Sequence, residues 1–282
     1  MQTKEKDRLA ALATQIRIET LKGLGHLGFG HVGGSFSVAE LLAVLYGEQM
    51  KIDPQNPGWE GRDYLVCSKG HAGPAVYATL ALKGYFPLDW LLTINKPGTR
   101  LPSHCDRLLT PGVDMTTGSL GQGASTAVGM ALASKIQGRD NYTYLILGDG
   151  EIQEGQVWEA MSLAAQEKLT NLITFVDYNK KQLDGLLSDI NDFGNVVERM
   201  AAFGLDAIMV DGHDVEAISA TIEKAKASGR VCCIVLDTVK AKDCSFGENV
   251  MNNHSLTINA EQLAEGLQFL EAKLKVQVQD HD

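Results

Sequence analysis

The sequence lacks the features of a secreted disulfide framework, a zinc ribbon or a membrane protein. Its five cysteines are odd in number and include no CxxC pair, a pattern that indicates a reducing cytoplasm. No apolar run approaches the roughly 20 residues of a membrane helix. The polar stretch 1–8 is not followed by the apolar region of a signal peptide. We therefore expect a cytoplasmic protein that makes no membrane contact.

Positive charge is also scarce. Lysine and arginine number 25 against 35 aspartates and glutamates, which gives a formal net charge of -10. Because a phosphate backbone repels such a chain, nucleic acid is disfavoured as a partner, although a local site for a small anion is compatible with this charge. The 282 residues, 44% of them hydrophobic, suffice for one globular core and exclude collagen-like, coiled-coil and disordered classes.

The second half of the chain alternates short apolar runs with helical patterns. The runs YLIL, LITFV, AIMV and CCIVL are continuously apolar, as in strands that are covered on both faces of a parallel sheet. We expect strands at 142–147, 172–177, 206–210 and 231–237 and helices at 153–166, 193–203 and 215–228. This order predicts an α/β fold, a doubly wound parallel sheet flanked by helices.

The first half adds elements of both kinds. We expect a helix at 4–24, a glycine-rich loop at 25–34, a helix at 38–46 capped by Ser37, a strand at 63–68, a helix at 72–85, a long loop at 87–118 and a small-residue helix at 121–137. Residues 1–282 are interpreted as a single domain with a core at about 20–256. The segment 257–282 is expected to form a polar helical tail.

Two loops at the carboxyl ends of predicted strands point to a site for a cation and a phosphate. One strand runs into Gly148-Asp149-Gly150 and the next into Tyr178-Asn179. Glycine lets the backbone approach a phosphate, but an aspartate repels it unless a cation lies between them. Adjacent parallel strands would place Asp149 and Asn179 side by side. Together with a backbone carbonyl and phosphate oxygens they would form an oxygen site for Mg²⁺ or Ca²⁺.

Four histidines lie in loops beside glycine, serine or proline. They are His31, His71, His104 and His254. A single loop histidine is more often solvated or packed than functional, but four of the seven in such loops indicate a site. The absence of HxH and HxxxH spacings argues against zinc. Histidines of this kind suit contacts to a diphosphate and proton transfer to sugar oxygens.

The GDG triplet, followed after 28 residues by asparagine, resembles the signature of thiamine diphosphate enzymes. Further blocks resemble the N-terminal, diphosphate-binding half of transketolase and occur in its order. They are GHVGGSFS (30–37), SKGHAGPAVYATLALKGYF (68–86), LPSHCDRLLTPGVDMTTGSLGQG (101–123), GDGEIQEGQVWEA (148–160), VDYNKKQLDG (176–185) and FGENVMNNHS (246–255). The resemblance covers about 20–256 and is closest to bacterial split transketolases, in which two chains divide the enzyme.

The resemblance implies which residues hold the cofactor. The cofactor would be thiamine diphosphate, bound with Mg²⁺ or alternatively Ca²⁺ or Mn²⁺. Asp149 and Asn179 would bind the cation through their side chains and Lys181 through its main-chain carbonyl. The implied diphosphate contacts are Gly150, His71 and His254.

The resemblance also implies roles at the other end of the cofactor. Gly118 and Leu120 would meet the aminopyrimidine through the backbone. His31 and His104, with His254, would be catalytic residues that face the substrate oxygens.

Two further glutamates match the family, and two sites depart from its usual sequence. Glu154 and Glu159 match family glutamates that link the subunit interface to the cofactor, although their pattern alone fits an ordinary helix surface. The family usually has an aliphatic residue where Lys181 stands. Split chains often have WHG where this chain has Asn253-His254-Ser255.

The implied reaction is the transfer of a two-carbon ketol unit from a ketose phosphate to an aldose phosphate, with xylulose 5-phosphate as the usual donor. The pyrimidine-side half is absent from this sequence. The chain would therefore be active only with a C-terminal transketolase subunit, in an α2β2 heterotetramer.

Three other interpretations remain open. The α subunits of 2-oxoacid dehydrogenases share the GDG and asparagine motif but not this set of histidines. A non-catalytic cofactor-binding module is a second alternative. A dinucleotide-binding fold would rest on GSLGQG (118–123), but no predicted strand precedes those glycines at the required spacing.

Overall fold

The computed structural model describes residues 1–279, so residues 280–282 of the expected tail lie outside the described part of the chain. The strands are β1 (Phe29–Gly30), β2 (Tyr64–Cys67), β3 (Thr143–Gly148), β4 (Leu172–Tyr178), β5 (Asp206–Asp211), β6 (Cys232–Asp237) and β7 (Leu256–Thr257). The helices are α1 (Thr3–Leu27), α2 (Val32–Phe36), α3 (Ala39–Val44), α4 (Gly73–Leu82), α5 (Gln122–Ile136), α6 (Gly155–Gln166), α7 (Leu187–Ile190), α8 (Val196–Ala202), α9 (Val215–Ser228) and α10 (Ala260–Gln279).

Five strands of the described chain form a parallel sheet in the order β2-β3-β4-β6-β5. The predicted α/β class is therefore confirmed, and each predicted strand ends within one residue of the observed one. In the register of the sheet, Gly148 of β3 lies opposite Asp177 of β4, which lies opposite Leu236 of β6. The carboxyl ends of these three strands thus meet at one edge, where ligands bind in doubly wound folds.

The sheet has a hydrophobic core on each face. Ile146 and Phe175 pack in one cluster with α1, α3, α4 and α9, whereas Leu145 and Val176 pack in the other with α5, α6 and α8. Burial of each such side chain contributes about 1.5–3 kcal/mol to stability. Because both faces are covered, the inner strands need apolar residues at every position, as the sequence predicts.

The edge strand β5 departs from that prediction. The run AIMV predicts a strand covered on both faces, but Ile208 is 49% exposed and Met209 is 41% exposed. In the described chain β5 pairs with β6 alone. The layers that cover the inner strands end at this edge, so both faces of β5 stay partly open.

The glycine-rich segment 25–34 is more regular than expected. α1 continues to Leu27 and ends at Gly28, whose φ of 92° is left-handed and whose N–H donates to the carbonyl of Leu24 (2.8 Å). β1 and α2 follow directly. The prediction of a loop was therefore wrong for most of this segment, because tertiary packing stabilises glycine in helical conformation here.

Ser37 does not cap the next helix. Its hydroxyl donates to the carboxylate of Asp177 (2.7 Å), and Val38 occupies the N-cap position of α3. As a cap, the Ser37 hydroxyl oxygen would accept a backbone N–H, but here the hydroxyl donates a charge-assisted hydrogen bond to a buried carboxylate. The local capping rule was therefore overridden by a contact from β4.

Three segments differ from the prediction in their boundaries or helix type. The helix expected at 38–46 divides into α3 and a π-helical turn at Leu45–Gln49. The helix expected at 193–203 begins at Val196, because the Asn195 side chain accepts the N–H groups that follow it. The loop expected at 87–118 contains a short 3-10 helix at Leu88–Thr93.

The C-terminal helix docks on the N-terminal one. Leu270 of α10 and Leu9 of α1 are fully buried in the same cluster. Lys273 forms an ion pair of 2.7 Å with Asp243, which follows β6.

All five cysteines are unpaired and buried. Within residues 1–279, no helix combines the length and the apolar character that crossing a membrane requires.

Candidate functional site

A cavity of about 360 Å³ opens at the carboxyl ends of β3 and β4. The predicted site residues that line it are His31, His71, His104, Gly118, Leu120, Asp149, Gly150, Glu154, Asn179, Lys181 and His254. Glu159 lies elsewhere, exposed on α6 in a groove that α8 completes, and its role stays a prediction. Residues that are far apart in the sequence, from His31 to His254, thus line one cavity.

The turn after β3 directs Asp149 into this cavity. Its carboxylate accepts the backbone N–H groups of Gly150 (2.8 Å) and Lys180 (2.5 Å), which ties the ends of β3 and β4 together. Lys180 has a φ of 67°, and this left-handed turn brings its amide to the carboxylate. Burial, together with the nearby charge of Asp177, raises the pKa of Asp149 to about 6. A bound cation would relieve this unfavourable burial.

Asn179 lies beside Asp149, as expected from adjacent parallel strands. Its amide nitrogen donates to Asp177 (2.9 Å), and its carbonyl oxygen accepts the N–H of Lys181 (3.2 Å). The donors are therefore one carboxylate and one amide oxygen, which suit Mg²⁺ or Ca²⁺. Across residues 1–279, no three histidine, cysteine or acidic side chains are grouped to hold a metal ion. A cation bound here would need further oxygens from the backbone and from an anionic ligand.

Lys240 occupies the position in which such a cation would meet the backbone. Its ammonium donates to the carbonyl of Lys181 (2.8 Å) and to that of Gln182 (3.2 Å), and it lies 3.4 Å from Nδ1 of His254. Burial lowers the pKa of Lys240 to about 8, although the charge of Asp149 opposes this effect. A positive group already stands on the predicted carbonyl ligand, so the residues present fit a cation.

The sequence analysis missed Lys240. It follows β6 by three residues, and β6 ends at the same edge of the sheet as β3 and β4. Applying to β6 the rule that drew attention to the loops after β3 and β4 would have identified it.

A buried ion pair supports the floor of the cavity. Asp177 accepts hydrogen bonds from Lys69, from Ser37 (2.7 Å) and from Thr238 (2.5 Å). Burial by itself would raise the pKa of this carboxyl, but Lys69 and the hydrogen bonds outweigh it and hold the pKa below its usual value. The ionised Asp177 therefore joins β4, β6 and α2 beneath Asn179.

A second buried carboxylate, Glu151, fastens the neighbouring loops. It accepts the hydroxyl of Ser68 (2.5 Å), the N–H of Gly121 (2.8 Å) and the N–H of Gly148 (3.0 Å). Three loops that line the cavity are thereby fixed relative to one another. The sequence analysis did not single out Glu151, and its place directly after GDG was the available signal.

The four predicted histidines form one cluster around His31. The centroid of its ring lies 5.8 Å from that of His71, 5.7 Å from that of His104 and 5.2 Å from that of His254. Burial lowers the pKa of all four, to about 4 for His254 and well below the usual value for His71. All four are therefore neutral at pH 7, and each ring can donate one hydrogen bond and accept another.

Two further features fit an anionic, closely packed ligand. The side-chain nitrogen of Gln182 is buried without a hydrogen-bond partner, and it lines the cavity, so it can donate to a ligand oxygen. Gly34 lies against His71, where a Cβ atom would come within 2.8 Å of the imidazole ring. Any larger residue at this position would displace that ring.

Comparisons with known proteins agree with this geometry. The family description "Transketolase, thiamine diphosphate binding domain" matches residues 9–274. The chain is 52% identical to a 6-deoxy-6-sulfo-D-fructose transketolase subunit of Clostridium sp. (strain MSTE9), over 88% of this chain and 91% of that one. It is 38% identical to one of the subunits of an apulose-4-phosphate transketolase of Actinobacillus succinogenes, over 78% of this chain and 79% of that one.

A solved structure has the same fold. The transketolase of Leishmania mexicana superposes with a TM-score of 0.85 and 30% identity, over 96% of this chain but only 45% of that one. The chain thus spans nearly all of the subunit from Clostridium and less than half of the transketolase from Leishmania.

These findings favour a ketol-transferring subunit over the α subunit of a 2-oxoacid dehydrogenase and over a dinucleotide-binding fold. The matched family domain, the gathered histidines and the cation-compatible loops agree with one another. This chain belongs to the transketolase family, of which it carries the thiamine diphosphate-binding domain.

Proposed function

We propose that this chain is the diphosphate-side subunit of a split, cytoplasmic transketolase, folded as a single domain. The observation that carries the proposal is the cavity in which Asp149, Asn179 and the carbonyl of Lys181 approach a cluster of four histidines. Five unpaired, buried cysteines support the cytoplasmic assignment.

Asp149, Asn179 and Lys181 would hold Mg²⁺, with Ca²⁺ or Mn²⁺ as alternatives, and the cation would meet the diphosphate. His71 and His254 would contact the diphosphate oxygens. The N–H of Gly150 would do so in exchange for its present hydrogen bond to Asp149 (2.8 Å). Bound thiamine diphosphate supplies the nucleophilic carbon that accepts the two-carbon unit of the ketose. The carbonyl of Lys181 would exchange the ammonium of Lys240 for the cation, leaving that ammonium to the diphosphate.

His31 and His104 would act on the substrate. Both line the cavity and both are neutral at pH 7, since burial lowers their pKa values. A neutral imidazole can accept a proton from one sugar hydroxyl and hydrogen-bond another. We assign them to orienting the sugar oxygens and moving their protons as the C2–C3 bond breaks and reforms.

A partner chain would complete the site. Leu120 and Leu183 line the cavity yet are 38% and 60% exposed, and Glu154 at the same rim is exposed as well. These exposed residues support a C-terminal transketolase subunit that covers the cavity, in an α2β2 heterotetramer that is active only when assembled.

The donor is proposed to be a ketose with an anionic group on its last carbon. The 52% identity with the sulfofructose relative favours 6-deoxy-6-sulfofructose, and xylulose 5-phosphate is the alternative. The acceptor would be an aldose phosphate.

The test combines this chain with its C-terminal subunit, thiamine diphosphate and Mg²⁺. Each ketose is offered with an aldose phosphate, and mass spectrometry follows both sugars. We expect the donor to lose two carbons and the acceptor to gain them. An assembled, cofactor-loaded complex that shortens no ketose would contradict the proposal, and the same complex carrying Asp149→Asn is the negative control.

A further inference from the structure

His213 connects two parts of the molecule that lie outside the cavity. It lies in the loop between β5 and α9, and its side chain is 16% exposed. Its Nδ1 lies 3.1 Å from a carboxylate oxygen of Glu40 on α3. Its Nε2 accepts the backbone N–H of Val239 at 2.9 Å. The ring thus bridges α3 and the segment that follows β6.

The contacts on both sides determine the tautomer of this histidine. Glu40 accepts two hydrogen bonds of 2.7 Å from Arg17. Burial by itself would raise the pKa of Glu40, but the Arg17 charge and the hydrogen bonds from His213 and Arg17 outweigh it and lower the pKa to about 2. An ionised carboxylate only accepts, so Nδ1 must carry the proton. Nε2 is then a free acceptor for Val239. The ring is therefore oriented by a hydrogen bond at each nitrogen.

The loop that carries His213 is itself rigidly placed. The side chain of Asp211 accepts the N–H of His213 (2.8 Å), and Asp214 caps α9 by accepting the N–H of Glu216 (2.9 Å). Gly212 donates its N–H to the carbonyl of Asp237 (2.9 Å). The loop is thus anchored on β5, on α9 and on the end of β6.

The segment 238–243, in contrast, holds an unfavourable backbone conformation. Ala241 has a φ of 59° and Asp243 a φ of 67°, left-handed values that cost non-glycine residues about 1 kcal/mol or more each. Such values persist where surrounding contacts fix them. One contact is the N–H of Ala241 on the carbonyl of Gly33 (3.0 Å), and the bond from Val239 to His213 is another.

We propose that His213 is a positioning residue for Lys240. By accepting the N–H of Val239, it fixes the residue directly before Lys240 and so directs the ammonium to the carbonyl of Lys181. Lys240 then serves the anionic ligand of the cavity, and this part of the inference rests on the proposed function.

Two conservative variants separate the two contacts of the ring. In His213→Asn the amide reaches the place of Nδ1, so it keeps a donor for Glu40 and loses the acceptor for Val239. In His213→Gln the amide reaches the place of Nε2, so it keeps the acceptor. Lys240→Met, which removes the ammonium and preserves the length of the side chain, is the reference.

The first measurement needs no cofactor. Hydrogen exchange at the amides of Val239 and Ala241 is followed in the chain and its variants. We expect His213→Asn to speed this exchange about tenfold or more, and His213→Gln to stay near the wild type. Equal exchange in wild type and His213→Asn would overturn the inference, whatever the protein binds.

The second measurement is the affinity of the assembled complex for thiamine diphosphate with Mg²⁺, by calorimetry. We expect His213→Asn and Lys240→Met each to weaken binding about tenfold, the range for a charge-assisted contact, and His213→Gln to restore it. The double variant His213→Asn/Lys240→Met should bind no more weakly than Lys240→Met alone. Additive losses would overturn the link to Lys240, whereas a wild-type complex that binds no thiamine diphosphate would refute the proposed function and leave the exchange result to decide the positioning role.

Discussion

At the scale of single residues, Asp149 combines a local cost with a proposed benefit. It is a carboxylate at 3% exposure beside Asp177, an arrangement that a cation would stabilise. We predict that Asp149→Asn weakens Mg²⁺-dependent binding of thiamine diphosphate about 10- to 100-fold, because a charged ligand is lost. The midpoint of thermal unfolding should change by only a few degrees, since the residue lies in a loop.

Calorimetric titration of the assembled complex, with and without EDTA, measures this effect. Asp184→Asn makes the same change of charge on an exposed residue of the following loop and is the matched control. Unaltered affinity in Asp149→Asn, or wild-type affinity in EDTA, would remove Asp149 from the cation site.

The histidine cluster should divide into two functional classes. We predict that His31→Ala and His104→Ala lower kcat about 100-fold or more with little change in cofactor affinity, because both are assigned to proton transfer on the substrate. His71→Ala should instead weaken cofactor binding first. Steady-state kinetics at saturating cofactor distinguish the classes, and unchanged turnover in either of the first two variants contradicts the assignment.

The same cluster predicts how stability depends on pH. Burial lowers the pKa of His254 to about 4, whereas an unfolded histidine titrates near 6.5. Between these values the unfolded chain binds more protons, so this group makes stability rise with pH through the window and fall on acidification. Asp149, whose pKa is raised to about 6, acts in the opposite direction there.

Urea unfolding of wild type and His254→Asn between pH 4 and 7 measures the contribution of this histidine to stability. The slope of the unfolding free energy against pH measures the protons that the chain takes up on unfolding. We expect His254→Asn to take up fewer protons than wild type, by up to about one. Identical slopes would show that His254 keeps an ordinary pKa in the folded chain.

Residue spacing located the side chains of Asp149 and Asn179 at one edge of the sheet, but not the residues that support them. Asp149 and Asn179 follow adjacent apolar strands, so local pattern and sheet geometry locate both. The partners of Asp177 come from residues 37, 69 and 238, and no local rule joins those positions. The four histidines could be recognised as a set, whereas their mutual distances depend on how four separate segments of the chain pack.

At the scale of elements, the small residues of α5 reflect close packing against β2. A Cβ atom at Gly123 would overlap the side chain of Ser68, the residue that donates to Glu151. We predict that Gly123→Ala destabilises the fold by about 1–3 kcal/mol through overpacking. Gly129→Ala, on the same helix with open space around its Cβ, should instead stabilise it by up to about 1 kcal/mol.

Chemical denaturation of the two glycine variants gives both free energies under one condition. Because both substitutions are Gly→Ala on the same helix, a loss of stability at Gly123 alone reports the contact with Ser68. Equal stabilisation would mean that α5 can move away from β2 at no cost.

Elements were predictable where one physical rule dominates. Continuous apolar runs located the inner strands, since coverage on both faces demands them. The rule failed at β5, whose place at the edge is decided by strand order, and order is not written in any single run. Ser37 likewise satisfies the capping pattern, but its hydroxyl donates instead to Asp177, on a strand 140 residues away.

At the scale of the whole molecule, assembly should control activity. Alone, the chain should bind thiamine diphosphate weakly and transfer no ketol unit, because the rim of the cavity at Leu120 and Leu183 stays open without the proposed pyrimidine-side subunit. Mixed with its C-terminal subunit, it should form a complex of two copies of each chain. Light scattering gives the mass and a coupled assay gives the transfer. Full activity from this chain by itself would contradict the split enzyme.

The ammonium of Lys240 on the carbonyl of Lys181 has a thermodynamic consequence for loading. If a metal ion uses that carbonyl, it competes with an ion tethered to the same chain, whose local concentration never changes. The affinity measured for free Mg²⁺ is then an exchange constant, weaker than the intrinsic one. Metal and diphosphate would favour each other's arrival, since the displaced ammonium gains an anion only when both are present. At trace levels of either ligand, the ammonium of Lys240 would stay on the carbonyl of Lys181 and the cofactor site would stay empty.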